Sequence, residues 1–195
     1  HQALIESVGS NITLKYPKNG EYRSAYVIAN IDDEPTDEAM VFYEYTSNGS
    51  EEDGLRVNIL DKDEKGKWYS VKELAGAGTD IDQVIISPMG SNNQTDVFVG
   101  YQNLTNDEKT MEIYSYTDGD FKRVALDTYS VLEPLDINND GYIELITIQR
   151  STNNDTGAVT AKASMLNMKN NEITRGENVD TVSYTHLTLP TTSRV

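Results

Sequence analysis

Short runs in which apolar and polar residues alternate fill most of the chain, rich in Val, Ile, Tyr and Thr and separated by clusters of Gly, Asn and Asp. A period of two puts successive side chains on opposite faces of a strand, and the punctuating residues are those that turn a backbone. No stretch of about 12 residues carries the i, i+3, i+4, i+7 spacing of an amphipathic helix. The lead-in, residues 1–20, differs: Ala3 to Val8 reads as the end of a short helix stopped at Gly9, and Ile12 to Tyr16 alternates like a strand.

The runs recur in one order. Tyr26–Ala29, Ala39–Tyr43, Leu55–Leu60 and Lys67–Val71 are predicted as four strands. The same sequence of runs returns as Gln83–Ile86, Val97–Tyr101, Met111–Tyr116 and Asp120–Val124, and again as Ser130–Leu135, Leu145–Gln149, Val159–Leu166 and Glu172–Thr174. Trp68, Phe121 and Ile173 each follow a tight turn and recur about every fifty residues. Eight residues before them stand Leu60, Ile113 and Met165, which predicts one register for all three hairpins. Four antiparallel strands at this period are the signature of a β-propeller blade. The expected fold is therefore all-β, a β-propeller-like array of about three four-stranded antiparallel blades, incomplete or open, because closure takes four to eight. The predicted blades are 21–76, 77–127 and 128–180. Residues 181–195 fit no fourth blade and are expected to be a tail that is disordered or foreign to the fold. A β-sandwich with evenly spaced strands is the alternative.

Composition narrows the function. The 195 residues are enough for one or two domains with a real core. With 32 acidic and 16 basic residues the net charge is −16, which repels a phosphate backbone and an anionic bilayer surface. Nucleic acid is not expected as a partner. Cysteine is absent, and the two histidines, His1 and His186, lie near the ends, so thiolate sites and most histidine chemistry are excluded. No apolar run is long enough to span a membrane.

The candidate chemistry lies in turns. Asp136-Ile137-Asn138-Asn139-Asp140-Gly141-Tyr142-Ile143-Glu144 places side-chain oxygens at loop positions 1, 3, 5 and 9 and glycine at position 6. Such spacing lets Asp136, Asn138, Asp140, Glu144 and the Tyr142 carbonyl converge on one hard cation, and Ca2+ is the expected cofactor. Position 12, where an EF-hand needs a bidentate acid, is Thr147 inside an apolar run, which argues against that motif. An ion-free Asp-Gly hairpin turn is the alternative. Asn30 to Glu38 has oxygen donors at the same positions (Asn30, Asp32, Glu34, Glu38), but Pro35 replaces the glycine and weighs against a metal. Ser87 to Asp96 keeps only the final acid and reads as a plain turn. No nucleophile, zinc-protease or phosphate-cradling motif is present, and no catalytic residue is assigned.

The loop Asp-x-Asn-x-Asp-Gly-x-x-Glu followed by Leu145-Ile146, set between the first two strands of a repeating blade, resembles the FG-GAP or VCBS-type repeats of integrin-α-like propellers. Leu14-Lys15-Tyr16-Pro17, Gly20 to Ala25, Val41-Phe42-Tyr43 and Gly66-Lys67-Trp68 are similar to VCBS-repeat lipoproteins of anaerobic gut bacteria. The likeness covers about residues 10–175. It implies export, a lipid anchor upstream of His1, a cell-surface or extracellular location and no established catalytic activity. The expected function is a non-enzymatic binding or scaffold domain braced by calcium, with an unknown extracellular protein or glycan as partner. The alternative is an accessory domain or fragment of a secreted polysaccharide-degrading enzyme, which requires a pair of carboxylates in a central cleft.

Overall fold

In a computed structural model, residues 1–46, 54–89, 94–103, 108–169, 172–176 and 180–184 are described. A short helix, α1 (Gln2–Val8), ends at Gly9 and leads into three open antiparallel sheets. The first contains β1 (Ile12–Leu14), β2 (Tyr26–Ala29), β3 (Glu38–Tyr45), β4 (Leu55–Lys62) and β5 (Trp68–Ala75). β6 (Asp80–Ser87), β7 (Asp96–Gln102), β8 (Lys109–Thr117) and β9 (Asp120–Tyr129) make the second, in sequence order. The third holds β10 (Val131–Leu135), β11 (Glu144–Thr152), β12 (Val159–Lys169), β13 (Glu172–Arg175) and β14 (Asp180–Tyr184). The fold is all-β, and each of the three predicted groups of four strands forms one sheet. No helix among the described residues is long and apolar enough to cross a membrane.

Alternation within the strands sets how the sheets associate. Met40 and Phe42 of β3 and Val57 and Ile59 of β4 share one core with Val97 and Val99 of β7, Tyr114 of β8 and Phe121 of β9. Their neighbours Ala39, Val41 and Tyr43 share another with Leu4 of α1. In β7 the intervening Phe98, with Met111 and Ile113 of β8, joins Leu132, Leu145, Leu166 and Met168 of the third sheet. The second sheet is thus apolar on both faces, with the first sheet against one and the third against the other. Burying side chains of this size contributes about 1.5–3 kcal/mol each. Polar bridges tie the same neighbours together: Lys72 Nζ donates to Asp120 Oδ1 at 2.6 Å and to the Phe121 carbonyl at 2.7 Å. The Ile143 N–H donates to the Pro88 carbonyl at 3.0 Å.

Three expectations need correction. Leu60, Ile113 and Met165 are not the residues opposite the anchors: Trp68 faces Lys62, Phe121 faces Tyr116 and Ile173 faces Met168. The second and third hairpins share a register, but the first has a longer turn, so equal spacing in sequence did not mean equal pairing. Residues 12–14, set apart as lead-in, belong to the first sheet: β1 lies along the edge of β3 beyond the end of β2. The proposed tail also enters the fold, since β14 pairs with Val159–Ala163 of β12. β13 covers only Leu166–Lys169, and the rest of that edge is open to a second short strand. Residues 185–195 lie outside the described residues.

A repeated irregularity relates the first and second sheets. The β4–β5 ladder shifts register between Ile59 and Leu60, and the β8–β9 ladder shifts between Ile113 and Tyr114. Val71 and Val124, each three residues after its anchor, are the extra residues on the fourth strand. A bulge increases local twist and turns the edge strand away from flat pairing.

Among the described glycines, Gly100 leaves the least room for a side chain. A Cβ built there would stand 2.1 Å from the Tyr129 hydroxyl, which donates to Asp82 Oδ2 at 2.6 Å. Gly100→Ala is expected to lower stability by about 1–3 kcal/mol in urea denaturation, as overpacking does. Combining it with Tyr129→Phe, which removes the obstructing oxygen, should give a loss smaller than the two single losses added.

Candidate metal loop and its equivalents

The loop from Asp136 to Glu144 joins β10 to β11 at an exposed edge of the third sheet. Its backbone folds over the Asp136 carboxylate: the Asp140 N–H donates to Oδ1 at 3.1 Å and the Gly141 N–H to Oδ2 at 3.0 Å. Asn138 Oδ1 also accepts from the Asp140 N–H, at 2.9 Å, and Asp140 Oδ1 accepts from the Tyr142 N–H, at 2.9 Å. Two positive φ angles make the wrap possible, 59° at Asn139 and 89° at Gly141. Asn tolerates the left-handed region better than most residues, and glycine enters it without a Cβ penalty.

Three of the five proposed ligand residues are joined side chain to side chain, and Asp136 is tied to them through the Asp140 N–H. Asn138 Nδ2 donates to Asp140 Oδ2 at 2.9 Å and to Glu144 Oε1 at 3.1 Å. The amide's positive end thus lies between two carboxylates. Tyr142 joins through its N–H, and none of these bonds uses the carbonyl assigned as a ligand. Among the described residues no group of three or more carboxylate or imidazole side chains is gathered tightly enough to enclose a metal ion. The donor chemistry nevertheless fits: three carboxylates and an amide oxygen, without nitrogen or sulfur ligands, suit calcium or magnesium.

The last acid of the loop has a structural duty that its spacing alone did not reveal. Glu144 Oε2 accepts the Ile137 N–H at 2.9 Å. Glu38 Oε2 accepts the Ile31 N–H at 2.8 Å between β2 and β3, and Asp96 Oδ2 accepts the Met89 N–H at 3.0 Å between β6 and β7. Each acid opens the second of the four repeated strands (β3, β7 and β11) and reaches back seven residues to close the loop before it. The persistence of an acid at that position in a loop that had lost its other donors was the available signal. Of the first loop's remaining donors, Asp32 Oδ1 accepts the Glu34 N–H at 2.8 Å, and Asn30 Nδ2 donates to the Glu34 carbonyl at 2.6 Å.

A cavity of about 530 Å³ lies where residues 19–22, β6 and β10 meet, and Glu21, Asp82, Lys109 and Glu133 are among its lining residues. Its buried carboxylate is engaged. Asp82 Oδ1 accepts from Asn19 Nδ2 at 2.8 Å and Lys109 Nζ at 2.7 Å, while Oδ2 accepts from Tyr129. Burial, then that hydrogen bond to Asp82, holds the Tyr129 hydroxyl well above its ordinary pKa. A fully bonded Asp82 fits a structural brace between strands better than an acid or base poised to move a proton.

No protein-family model matches the chain, and neither the curated proteins nor the solved structures contain a match.

Asp96→Ala is expected to cost about 3 kcal/mol or more in chemical denaturation, because Asp96 is fully buried and its loss strands both the Met89 N–H and the Ser115 hydroxyl that donates to it. Glu144→Ala, at a half-buried site, should cost less when measured in chelator.

Proposed function

We propose that the chain is a propeller-like stack of blades of the FG-GAP or VCBS type, acting outside the cell or at its surface as a non-enzymatic binding or scaffold domain whose Asp136–Glu144 loop is braced by calcium. The observation that carries the reading is the single network made by Asp136, Asn138, Asp140 and Glu144. Rotating the Asn138 amide would replace its NH2 group by an oxygen facing the same two carboxylates, and a divalent cation would take over the neutralising role of that NH2. Three formal negative charges suit a modest affinity, matched to extracellular calcium. Its partner would be an extracellular protein or glycan.

Equivalent cross-strand pairs support the blade arrangement. Met40 faces Ile59 and Phe42 faces Val57 in the first sheet, where these pairs meet the second. In the second sheet, Phe98 faces Ile113 and Gly100 faces Met111, next to the third. The third sheet carries Ile146 opposite Met165 and Ile148 opposite Ala163 at the corresponding positions, all half-buried. A further sheet of the same kind would complete the pattern on that face.

Calcium is expected to raise the melting temperature of the wild-type chain through binding to the folded state. The part of that rise due to this loop should disappear in Asp140→Ala. Equal melting curves in calcium and in chelator for the wild type would remove the proposed brace.

A further inference from the structure

The cavity of about 530 Å³ beside β6 and β10 is bordered by consecutive residues of both strands, 82–86 of one and 130–134 of the other. Successive side chains of a strand point to opposite faces, so a space that meets every residue in turn lies along the strand's edge. β6 and β10 are end strands of the second and third sheets. The edge of β6 is covered at one end: the Lys18 N–H donates to the Ile81 carbonyl at 3.2 Å and the Asn19 N–H to the Asp82 carbonyl at 2.7 Å. The covering chain bends at Gly20, where φ is 77°, and no described segment pairs with that edge from Gln83 to Ile86.

Two features of the lining ask for a ligand. Gln83 is 8 % exposed, yet its side-chain amide has no hydrogen-bond partner among the described residues. Such an amide carries two donors and an accepting oxygen, and a polar group so nearly buried is normally hydrogen-bonded. Ile85, two residues along, packs with Phe98 and Leu132 in the core shared with the third sheet, which puts Gln83 on that same face. The second feature is charge. Lys109, among the lining residues, is neutralised by Asp82 at 2.7 Å. Glu21 and Glu133 are exposed and form no ion pair among the described residues, so the free charge of the lining is negative.

We propose that this cavity receives an extended, basic segment of a partner polypeptide, which adds as a strand to the edge of β6 and sets its cationic side chains against Glu21 and Glu133. The site rests on the binding-domain reading above, for which it names the partner chemistry, and it uses no residue of the Asp136–Glu144 loop. Backbone pairing gives strand addition its affinity, and the side chains around it give specificity. Residues 18–19 already pair with this edge, and the incoming segment continues that pairing along β6. The Gln83 amide can both donate to and accept from a peptide unit of that segment. A net charge of −16 favours a basic partner over an acidic one and speeds its approach.

The test uses the full chain and a fluorescent N-acetylated hexapeptide of alternating lysine and threonine, followed by anisotropy. The wild type is expected to bind this peptide and to show slower amide exchange over 83–86 when it does. A copy of the peptide N-methylated throughout, which cannot pair with a strand edge, should not bind. Gln83→Leu should weaken binding about tenfold, as loss of a hydrogen-bonding group does. The exposed double substitution Glu21→Lys with Glu133→Lys, which leaves the core intact, should weaken it at least as much at an unchanged melting temperature. Equal binding of the N-methylated peptide, or binding unchanged by the double substitution, would overturn the site. Binding of a glucose hexasaccharide in place of the peptide, lost in Gln83→Leu, would overturn it in favour of a glycan. Asp140→Ala should bind the peptide as the wild type does. A wild-type chain whose melting responds to calcium but which does not bind the peptide loses this site and keeps the calcium brace, whereas one that binds the peptide without a calcium response keeps this site and loses the brace.

Discussion

A sheet that is apolar on both faces must be covered on both faces, and the second sheet of this chain is such a sheet. Val97, Val99 and Tyr101 on one side of β7 and Phe98 on the other are all essentially inaccessible to solvent. Each of these surfaces left in water would forfeit a large share of the free energy that folding gains. The first and third sheets are fixed in place by this need, and the polar bridges from Lys72 to Asp120 and from Ile143 to Pro88 then set their positions along the stack. Gly100 belongs to the same constraint: the Tyr129 hydroxyl reaches buried Asp82 because β7 has no side chain at that point.

Stacking leaves the loops at the strand ends as the place where the three sheets diverge chemically. Each loop between a first and a second strand is closed by a carboxylate that receives a backbone N–H, and this duty is the same in all three. What varies is how the other carboxylate oxygen is satisfied. In the second sheet a serine hydroxyl does it, in the third an asparagine amide does it within an exposed polar network, and in the first Glu38 Oε1 is buried without a hydrogen-bond partner.

Alternation of apolar and polar residues was enough to find the strands, because a half-buried strand writes its two faces directly into the sequence. Tyr26–Ala29 was bounded correctly at both ends. Side chains whose importance depends on pairing were not legible. Asp82 shows this, since its partners Asn19, Lys109 and Tyr129 come from distant parts of the chain, and a difference of one residue in a turn changes every partner across a ladder. The same dependence misled the hairpin register, where Leu60 was matched with Trp68 and the strand instead brings Lys62 there. Thr181 to Tyr184 lacked turn residues and a blade-like order, but it needed only an open length of β12 to become a strand.

Calcium is proposed to act at one of three equivalent turns, and hydrogen exchange resolved by peptide measures all three at once. Adding calcium should slow amide exchange around 136–144 with β10 and β11, while the turns between β2 and β3 and between β6 and β7 keep their rates. Equal exchange with calcium and with chelator at every turn would contradict it, as would protection spread evenly over all three.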